Sequence, residues 1–374
     1  MKSDIDSAIK NCLKHQKWIL GDEVYKLEKK ISEYLKVKHC IGVSSGTDAL
    51  VLSLRAIAIK SKKKEYFNKS DLIITSPFTF TATGDSILRA GANVIFIDIE
   101  PTTYNIDINK VIKFLKKTKN NIVGIIPVHL FGLSCNMDLL TNLSSEKNLF
   151  IVEDVAQAFG ANWNGKRLGT FGITGAFSFF PTKILGAFGD AGMITTNDDE
   201  IAEIIRMLIK HGGKDKYNVE HIGYNARLDT LQAAILHAKF KYLEEFNEKR
   251  IKISNIYIEK LRELEEIILP YNPYKKNTSH LYHQFTIRVK NNKRDLLQKF
   301  LKEKGIDTMI YYPMPLHKMK VFKNRCVIPE PLRISEKLVN EVLSLPVEPL
   351  MEVEDVNYII NCIKNFFIKT YDKR

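Results

Sequence analysis

The feature that most constrains the fold is an alternation, over the first two-thirds of the chain, between short apolar β-rich runs and segments able to form helices. Such runs stand at CIGVS (40–44), LIITSP (72–77), NVIFID (93–98), IVGIIPV (122–128), LFIVED (149–154), GAFSFF (175–180) and GMITT (192–196). Strands buried on both faces read as continuous hydrophobic runs, and intervening helices make them parallel. The pattern predicts an α/β fold with a mainly parallel central sheet, whose active site lies at the carboxyl ends of the strands.

A second, smaller unit is predicted because the pattern changes near residue 229. Asp229 opens the sequence DTLQ, which resembles a capping box at the start of a long helical stretch. Further on, the alternating run HQFTIRV (283–289) precedes the helix-like RDLLQKFLKEKG (294–305). We therefore predict a large α/β domain over 1–245, including an N-terminal helix, and a small C-terminal α+β domain over 246–374.

Length and composition indicate a globular chain. Its 374 residues suit one large domain plus a smaller one. Hydrophobic residues make up 45% and charged residues 26%, a balance that argues against both disorder and a membrane protein. No apolar run reaches the roughly 18 residues of a spanning helix, and the N-terminus MKSDIDSAIK has no hydrophobic signal segment. We expect a cytoplasmic protein that does not act at a membrane.

The formal charge of +13 suits three kinds of partner: nucleic acid, an anionic membrane surface or an anionic small substrate. The lysines are spread along the whole chain, and only KSKKK (60–64) is a dense run, which we interpret as a solvated loop. A nucleic-acid binder would interleave basic and aromatic residues in a recognisable module, and the sequence shows none. An anionic small substrate is therefore favoured over nucleic acid.

The cysteines are odd in number, isolated and never spaced as metal-binding pairs. They are Cys12, Cys40, Cys135, Cys326 and Cys362. We predict reduced, structural thiols and no metal site.

Two ionisable residues directly follow predicted strands. Lys183 comes just after the run 175–180, in a glycine-rich turn where partial removal from water would lower its pKa and make it nucleophilic. Asp154 ends the run 149–154, and Gln157 falls on the same face of a following helical turn. Taken singly, Lys183 is more simply an exposed loop lysine and Asp154 a helix N-cap.

Candidate anion donors and an aromatic ring accompany these residues. The turn SSGTDAL places Gly46 and Thr47 at a predicted helix N-terminus, where free N–H groups and the helix dipole favour a phosphate. Ser178, in the strand leading to Lys183, is a further candidate donor. Phe80 can stack on a planar ring, although core packing explains it equally well. An amine, a carboxylate and phosphate donors are what pyridoxal 5′-phosphate (PLP) requires for its aldehyde, pyridinium nitrogen and phosphate.

Motifs from end to end resemble the DegT/DnrJ/StrS family of PLP-dependent nucleotide-sugar aminotransferases. In order, they are WILGDEVYKLE, SSGTDAL, SPFTFTATGDSILRAGA, VIFIDIEPTTYNID, IPVHLFG, VEDVAQAFGA, FSFFPTKILGAFGDAGM, HIGYNARLDTLQAAIL, YYPMPLH and LSLP. The resemblance implies the aspartate-aminotransferase-like fold (PLP fold type I) and PLP as the cofactor. It also implies a nucleotide-linked keto sugar as acceptor and L-glutamate as amino donor.

Carried over to this chain, the resemblance assigns the cofactor contacts. Lys183 would form the Schiff base with PLP and move the proton during the reaction, while Asp154 would pair with the pyridine nitrogen. The other implied contacts are Gln157 near the ring oxygen, Phe80 on the ring face, and Ser178, Gly46 and Thr47 at the phosphate.

The resemblance also implies a homodimer with shared active sites. Asn225, in GYNARLD, matches a residue that such enzymes present to the phosphate in the neighbouring subunit. The positions that match the border of the sugar-nucleotide site are Arg227, Tyr311, Tyr312 and His317.

Some positions depart from the family pattern. Ser45 stands where asparagine is common, Thr182 where glycine or serine is common, and Tyr311 where a histidine is often found. The first two changes should be tolerated, whereas Tyr311 weakens the transfer of substrate contacts. His129, in IPVHLFG, fits a family motif, and we predict that it makes a structural hydrogen bond at the strand end.

The acceptor is the least determined feature. The stretch NARLDTLQAAIL (225–236) resembles enzymes of 3-keto sugars, whereas many 4-keto enzymes have methionine and threonine near Leu228 and Asp229, so a 4-keto sugar is the alternative. Arg227 could pair bidentately with a carboxylate, as in a 3-keto uronic acid, or form a structural salt bridge beside a neutral 6-deoxy sugar. The nucleotide is undetermined. Such an enzyme would serve the biosynthesis of cell-surface glycans, such as lipopolysaccharide O-antigen, or of deoxyaminosugars.

Two other functions compete with amino transfer. PLP-dependent sugar dehydratases of the same family have a histidine at the position of the Schiff-base lysine, where this chain has Lys183. A non-catalytic regulator could also retain the fold. The complete set of Lys183, Asp154, Gln157 and Ser178 argues against that alternative.

Overall fold

The computed structural model describes residues 1–273 and 277–371; the predicted small domain's residues 274–276 and 372–374 lie outside the described residues. The helices are α1 (Lys2–His15), α2 (Asp22–Leu35), α3 (Gly46–Lys62), α4 (Thr81–Arg89), α5 (Ile108–Leu115), α6 (Met137–Lys147), α7 (Asp199–Leu208), α8 (Thr230–Phe240), α9 (Leu243–Leu261), α10 (Arg294–Glu303), α11 (Arg333–Leu338) and α12 (Val353–Tyr371). The strands are β1 (His39–Val43), β2 (Leu72–Thr75), β3 (Asn93–Phe96), β4 (Ile122–Ile125), β5 (Phe150–Asp154), β6 (Asn162–Trp163), β7 (Lys166–Arg167), β8 (Thr174–Ser178), β9 (Gly192–Thr196), β10 (Ile267–Ile268), β11 (Phe285–Val289), β12 (Cys326–Val327) and β13 (Val342–Leu345).

The central sheet has the strand order β1-β9-β8-β5-β4-β2-β3-β12. The pairs among β8, β5, β4, β2, β3 and β12 are parallel, and β9 is antiparallel to both of its neighbours. The predicted α/β fold with a mainly parallel sheet is therefore confirmed. All the parallel strands end at the same edge, which becomes the functional edge of the molecule.

Helices cover both faces of this sheet. Ile73 in β2 belongs to the core that contains Leu54 of α3, and the next residue, Ile74, belongs to the core that contains Leu27 of α2. Successive residues of a strand point to opposite faces, so two neighbouring apolar residues require two covering layers. This explains why the strands of the sequence are continuous apolar runs.

A smaller antiparallel sheet, β10-β11-β13, packs with α9, α10 and α12 around a core that includes Tyr257, Phe285, Leu297 and Ile363. The predicted border after residue 245 lies inside the continuous helix α9. In addition, β12 pairs with β3 and so returns part of the C-terminal region to the large sheet. The division into two domains stays a prediction.

The predicted capping box at Asp229 does not form. Asp229 occupies the N-cap position of α8, but its side chain makes no capping hydrogen bond. Gln232 instead accepts a hydrogen bond from the backbone N–H of Phe188 at 2.9 Å, which ties the helix to the loop that follows Lys183. The helical stretch is also divided, because α8 ends at Phe240 and α9 begins at Leu243.

The lysine-rich run 60–64 begins in the last turn of α3 and is not wholly a loop. Its lysines make ion pairs with carboxylates of neighbouring segments. The pairs are Lys60–Asp198, Lys62–Asp71 at 2.8 Å and Lys63–Glu200 at 3.5 Å. Within residues 1–273 and 277–371, no helix has both the length and the apolar character that crossing a membrane requires.

Candidate active site

A cavity of about 440 Å³ lies at the carboxyl ends of the parallel strands. The segments that immediately follow β1, β2 and β4, together with the last residues of β5 and β8, contribute to its wall. Nine predicted site residues line it: Gly46, Thr47, Phe80, Asp154, Gln157, Ser178, Lys183, Tyr311 and Tyr312. Residues far apart in sequence therefore meet in one cavity, at the edge that the strand pattern predicts.

Lys183 lies in the loop between β8 and β9. Its backbone N–H donates to the carbonyl oxygen of Phe180 at 2.8 Å, which closes a turn directly after the strand. Burial lowers the pKa of the Lys183 ammonium, and the negative charge of Asp154 acts in the opposite direction. A lowered pKa increases the neutral, nucleophilic fraction of an amine. The environment thus suits a lysine that bonds to a carbonyl carbon.

Asp154 is the last residue of β5, and only 5% of it is exposed. Its Oδ2 accepts a hydrogen bond from Oγ1 of Thr83 at 2.8 Å, and its Oδ1 accepts one from the N–H of Ala156 at 3.2 Å. Burial raises the pKa of this carboxyl, and the two hydrogen bonds act to lower it. A buried carboxylate held by two donors can pair with a protonated ring nitrogen in the cavity.

Behind Asp154, the fully buried Glu153 fixes the strand end. Its carboxylate accepts backbone hydrogen bonds from Gly169, Phe171 and Gly172 at 2.8, 2.7 and 2.9 Å. His129 lies 3.2 Å from the same carboxylate. Because Nδ1 of His129 accepts the N–H of Cys135 at 3.1 Å, its Nε2 carries the hydrogen that is donated to Glu153. His129 thus makes the kind of structural hydrogen bond predicted for it.

Gln157 connects two walls of the cavity. Its Oε1 accepts the backbone N–H of Phe131 at 2.8 Å, and its Nε2 donates to the hydroxyl oxygen of Tyr312 at 2.9 Å. Burial raises the pKa of the Tyr312 phenol, so it stays protonated at neutral pH.

Phe80 lies next to Tyr312, with 6.5 Å between the ring centroids, and is 57% exposed. An exposed aromatic ring at a cavity wall offers a face for stacking.

The N-terminus of α3 faces the cavity through Gly46 and Thr47. Ser45 caps this helix by accepting the N–H of Asp48 at 3.1 Å. A Cβ atom on Gly46 would lie 2.6 Å from Cβ of Ser178, so only glycine allows β8 to approach the helix this closely. Free backbone N–H groups, the helix dipole and the Ser178 hydroxyl together form a site for a phosphate.

Asn225 and Arg227 are not among the described residues that line this cavity. Asn225 is exposed, and its Oδ1 accepts a hydrogen bond from Nη2 of Arg227. The Nε of Arg227 is buried and has no hydrogen-bond partner among the residues that the structure describes. Asn225 is therefore exposed and lies outside the lining of the Lys183 cavity.

His317 also lies outside the cavity lining, unlike its motif neighbours Tyr311 and Tyr312. Its side chain is 5% exposed, and its Nε2 lies 2.9 Å from Oε1 of Glu336. Its Nδ1 has no partner among the described residues. A substrate contact for His317 stays a prediction.

Several cavity residues were not predicted from the sequence. Thr83 contacts Asp154 directly, Asp190 lies in the loop after Lys183, and His283 and Gln284 lie beside the start of β11. Thr83 and Asp190 fall inside the quoted motifs SPFTFTATGDSILRAGA and FSFFPTKILGAFGDAGM, but neither was singled out. His283 and Gln284 carry no local motif, since their position depends on how distant segments pack.

A family match identifies the group of proteins to which the chain with this cavity belongs. The model of the DegT/DnrJ/EryC1/StrS aminotransferase family matches residues 1–364. The chain belongs to this family. It is therefore an aminotransferase of a family whose curated relatives include enzymes named for nucleotide sugars.

Two curated relatives show the range of the aminotransferase family. The "pleiotropic regulatory protein" of Geobacillus stearothermophilus is 42% identical, over 98% of this chain and 95% of the relative. The UDP-N-acetyl-3-dehydro-α-D-glucosamine 3-aminotransferase of Acidithiobacillus ferrooxidans is 38% identical, over 97% of this chain and 94% of the relative.

Solved structures of the family have the same fold. A DegT/DnrJ/EryC1/StrS aminotransferase from Brucella abortus is 35% identical, with a TM-score of 0.90 over 98% of this chain and 95% of that chain. NtdA from Bacillus subtilis, solved with bound pyridoxamine phosphate (PMP), is 29% identical, with a TM-score of 0.87 over 97% of this chain and 81% of that chain. The predicted PLP fold type I is thereby confirmed.

Proposed function

We propose that this aminotransferase uses PLP to move an amino group from L-glutamate to a keto carbon of a nucleotide-linked sugar. The observation that carries the proposal is that Lys183 and Asp154 line one cavity, the lysine with a lowered pKa and the carboxylate held by Thr83. When bound, PLP accepts the amino group from the donor and stores it until the acceptor arrives.

Each part of the cofactor has a matching donor or acceptor in the cavity. Lys183 would bond to the aldehyde carbon of the cofactor, and Asp154 would pair with the protonated ring nitrogen. Gln157 would contact the ring oxygen, and Phe80 would stack on one ring face. Gly46 and Thr47 at the N-terminus of α3, with Ser178, would hold the phosphate.

Lys183 also moves the proton in the reaction. Its amine is partly removed from water, and the lowered pKa favours the neutral form that can take up a proton. Burial raises the pKa of Asp154, and the hydrogen bonds from Thr83 and Ala156 favour its charged form. That charged form would oppose loss of the proton from the ring nitrogen. These two residues are the catalytic pair in our proposal.

The active unit in our proposal is a homodimer in which Asn225 completes the phosphate site of the neighbouring subunit. The exposure of Asn225 and its position outside the cavity of its own chain support this arrangement. Arg227, beside Asn225, then borders the sugar-nucleotide site together with Tyr311, Tyr312 and His317. The protein would act in the cytoplasm, in the biosynthesis of cell-surface glycans or deoxyaminosugars.

The acceptor in our proposal is a 3-keto sugar. The relative from Acidithiobacillus ferrooxidans, named for a UDP-linked 3-keto sugar, supports this preference. A 4-keto sugar is the alternative, and the nucleotide is left open.

The central test uses purified protein, glutamate and a keto sugar nucleotide. We expect 2-oxoglutarate and an amino sugar in equal amounts, and absorbance at the edge of the visible range from PLP bound to Lys183. Lys183→Ala should lose this absorbance and at least about 1,000-fold of turnover, and Lys183→Arg, which keeps the charge, should not restore either. Retained turnover in both variants would contradict the proposal. A deoxygenated sugar formed without 2-oxoglutarate would instead identify a dehydratase.

A regulatory function is the second candidate, because the relative from Geobacillus stearothermophilus is named a regulatory protein. A non-catalytic regulator would have no need to keep Lys183, Asp154, Gln157 and Ser178 around one cavity. A colourless protein that could not be loaded with PLP would favour the regulatory function over the enzyme.

A further inference from the structure

A second cavity, of about 820 Å³, opens beside the first. Both cavities have Thr182, Lys183, His283 and Gln284 in their walls. The second one lies between the loop that carries Lys183 and the small antiparallel sheet. The two cavities therefore adjoin at the residue that carries the amine, while Asp154 lines only the first of them.

Arg250, in α9, lines the second cavity with a guanidinium that is only partly satisfied. The residue is 9% exposed, and its Nε and Nη1 have no hydrogen-bond partner among the described residues. Burial lowers the pKa of Arg250 to about 10, while the negative charge of Glu348 acts to raise it. The guanidinium is therefore still charged at neutral pH. A buried charge without hydrogen bonds is costly, which points to a ligand that completes it.

Other buried arginines of this chain do have partners. Arg55 donates to the carboxylate of Glu65 and to the carbonyl oxygen of Ile222. Arg294 donates to the carbonyl oxygens of Val339 and Val342, both at 3.1 Å. Burial alone therefore does not leave an arginine of this fold without hydrogen-bond partners. The unpaired nitrogens of Arg250 result from the particular surroundings of that residue.

The remaining charged groups in the second cavity are already engaged. Lys239 donates to the carbonyl oxygen of Gly186, and Asp307 is paired with Lys302. Glu348 accepts the N–H of Leu350 at 2.9 Å, and Asp355 accepts the N–H of Glu352 at 3.4 Å. Arg250, with two buried nitrogens that lack partners among the described residues, and His283, whose Nδ1 lacks one, are left to bind a ligand. The charge of the guanidinium favours an anion.

We propose that Arg250 binds the distal carboxylate of the amino donor and so selects a dicarboxylic amino acid; this rests on the amino transfer proposed above. A guanidinium matches a carboxylate with two parallel hydrogen bonds. The α-carboxylate is attached to the reacting carbon and must stay in the cavity of Lys183, whose lining does not include Arg250 among the described residues. The distal carboxylate, separated from that carbon by two methylene groups, reaches into the second cavity.

The test compares donors in the PLP-loaded enzyme. Arg250→Gln should lower kcat/KM for glutamate by about 10- to 100-fold, through KM, and leave kcat/KM for alanine and KM for the sugar nearly unchanged. Arg250→Lys, which keeps the charge without the planar fork, should fall between Gln and wild type. An equal loss for glutamate and alanine, or no loss for either, overturns the proposal.

A binding measurement separates this inference from the proposed function. Glutarate has both carboxylates and no amine, so it can bind without any transfer. Calorimetry should detect glutarate binding to wild type and a loss of at least about tenfold in affinity for Arg250→Gln. If wild type transfers no amino group but binds glutarate through Arg250, the proposed function fails and the anion site stands. Equal glutarate affinity in both proteins overturns the site.

Stability provides the control for a merely structural role. Arg250→Met removes an unpaired buried charge, so the Tm of the ligand-free protein should not fall. Arg294→Met is the matched control, because it leaves the carbonyl oxygens of Val339 and Val342 without their donor and should lower Tm. A fall for Arg250→Met as large as that for Arg294→Met would show a structural residue and overturn the proposal.

Discussion

The hydroxyl of Thr83 lies 2.8 Å from Oδ2 of Asp154 and donates a hydrogen bond to it inside the cavity. Burial raises the pKa of Asp154, and the bonds from Thr83 and from the N–H of Ala156 oppose this effect. Thr83 therefore helps to keep charged the carboxylate that, in our proposal, pairs with the ring nitrogen. Thr83 lies inside the motif SPFTFTATGDSILRAGA, but the motif alone does not show that its hydroxyl reaches Asp154 at the end of β5.

Replacing Thr83 with valine keeps the shape of the side chain and removes the donor. The pKa of Asp154 should rise, because its charged form loses a hydrogen bond. The acid limb of the pH profile, where activity falls because the carboxylate is protonated, should therefore move to higher pH. We also expect kcat to drop by about 10-fold or more. The pH profile of kcat measures both effects, with Thr83→Ser, which keeps the hydroxyl, as the control. An acid limb at the same pH in all three proteins would contradict this role.

Glu153 should contribute to stability more than to chemistry. Its buried carboxylate accepts three backbone N–H groups and the hydrogen of His129. Glu153→Gln replaces one oxygen by an NH₂ group that faces these donors, so we expect a loss of about 3 to 5 kcal/mol in the free energy of unfolding. Denaturant unfolding measures it. Glu146→Gln, at an exposed ion pair with Lys147, is the control and should change little; equal effects would argue against the buried network.

The sequence predicts the parts of the site that follow locally from a strand. Asp154 ends one apolar run and Lys183 comes shortly after another, so the edge at which they meet was predictable. The positions of Arg250 and His283 were not predictable, because they depend on the packing of α9 and the small sheet against the rest of the chain. The predicted N-terminal helix is α2 (Asp22–Leu35), whereas α1 was not predicted because it buries only Ile5 and Cys12.

The capping box at Asp229 shows the opposite error, in which a local motif is overruled. The glutamine of that motif, Gln232, hydrogen-bonds to the loop after Lys183 and does not return to the helix end. A tertiary contact thus replaced the local one. The same hydrogen bond holds the loop that carries Lys183, the catalytic lysine in our proposal. Gln232 therefore stabilises this loop, a role that the capping-box motif did not indicate.

The shared site predicted for the dimer is tested by mixing two variants. We expect Asn225→Ala to weaken PLP retention and to leave the fold unchanged. Hybrid dimers of Lys183→Ala and Asn225→Ala subunits should regain one intact site, because one cavity then combines Lys183 of one protomer with Asn225 of its partner. Activity measured after mixing, at limiting PLP, should exceed that of either parent.

The competing arrangement gives a different result in the same experiment. If Asn225 acted within its own chain, each hybrid dimer would contain two damaged sites and mixing would restore nothing. Light scattering provides the control for assembly, since a fully loaded and fully active monomer would also refute the shared site.

The contacts of Arg227 bear on the chemical class of the acceptor that we propose. Among the described residues, the guanidinium of Arg227 donates to the neutral amide of Asn225, its Nε is buried without a partner, and no carboxylate forms a salt bridge with it. A guanidinium in this state suits a carboxylate of the sugar.

The acceptor is tested with a panel of UDP-, dTDP- and GDP-linked 3-keto and 4-keto sugars. We expect amination at C3, with the position of the new amine located by NMR. Arg227→Gln should lower kcat/KM for a 3-keto uronic acid by about 10- to 100-fold relative to the neutral sugar. Equal losses for the two sugars would exclude the carboxylate contact and leave the C3 preference intact, whereas exclusive amination at C4 would overturn that preference without affecting Lys183 or the cofactor site.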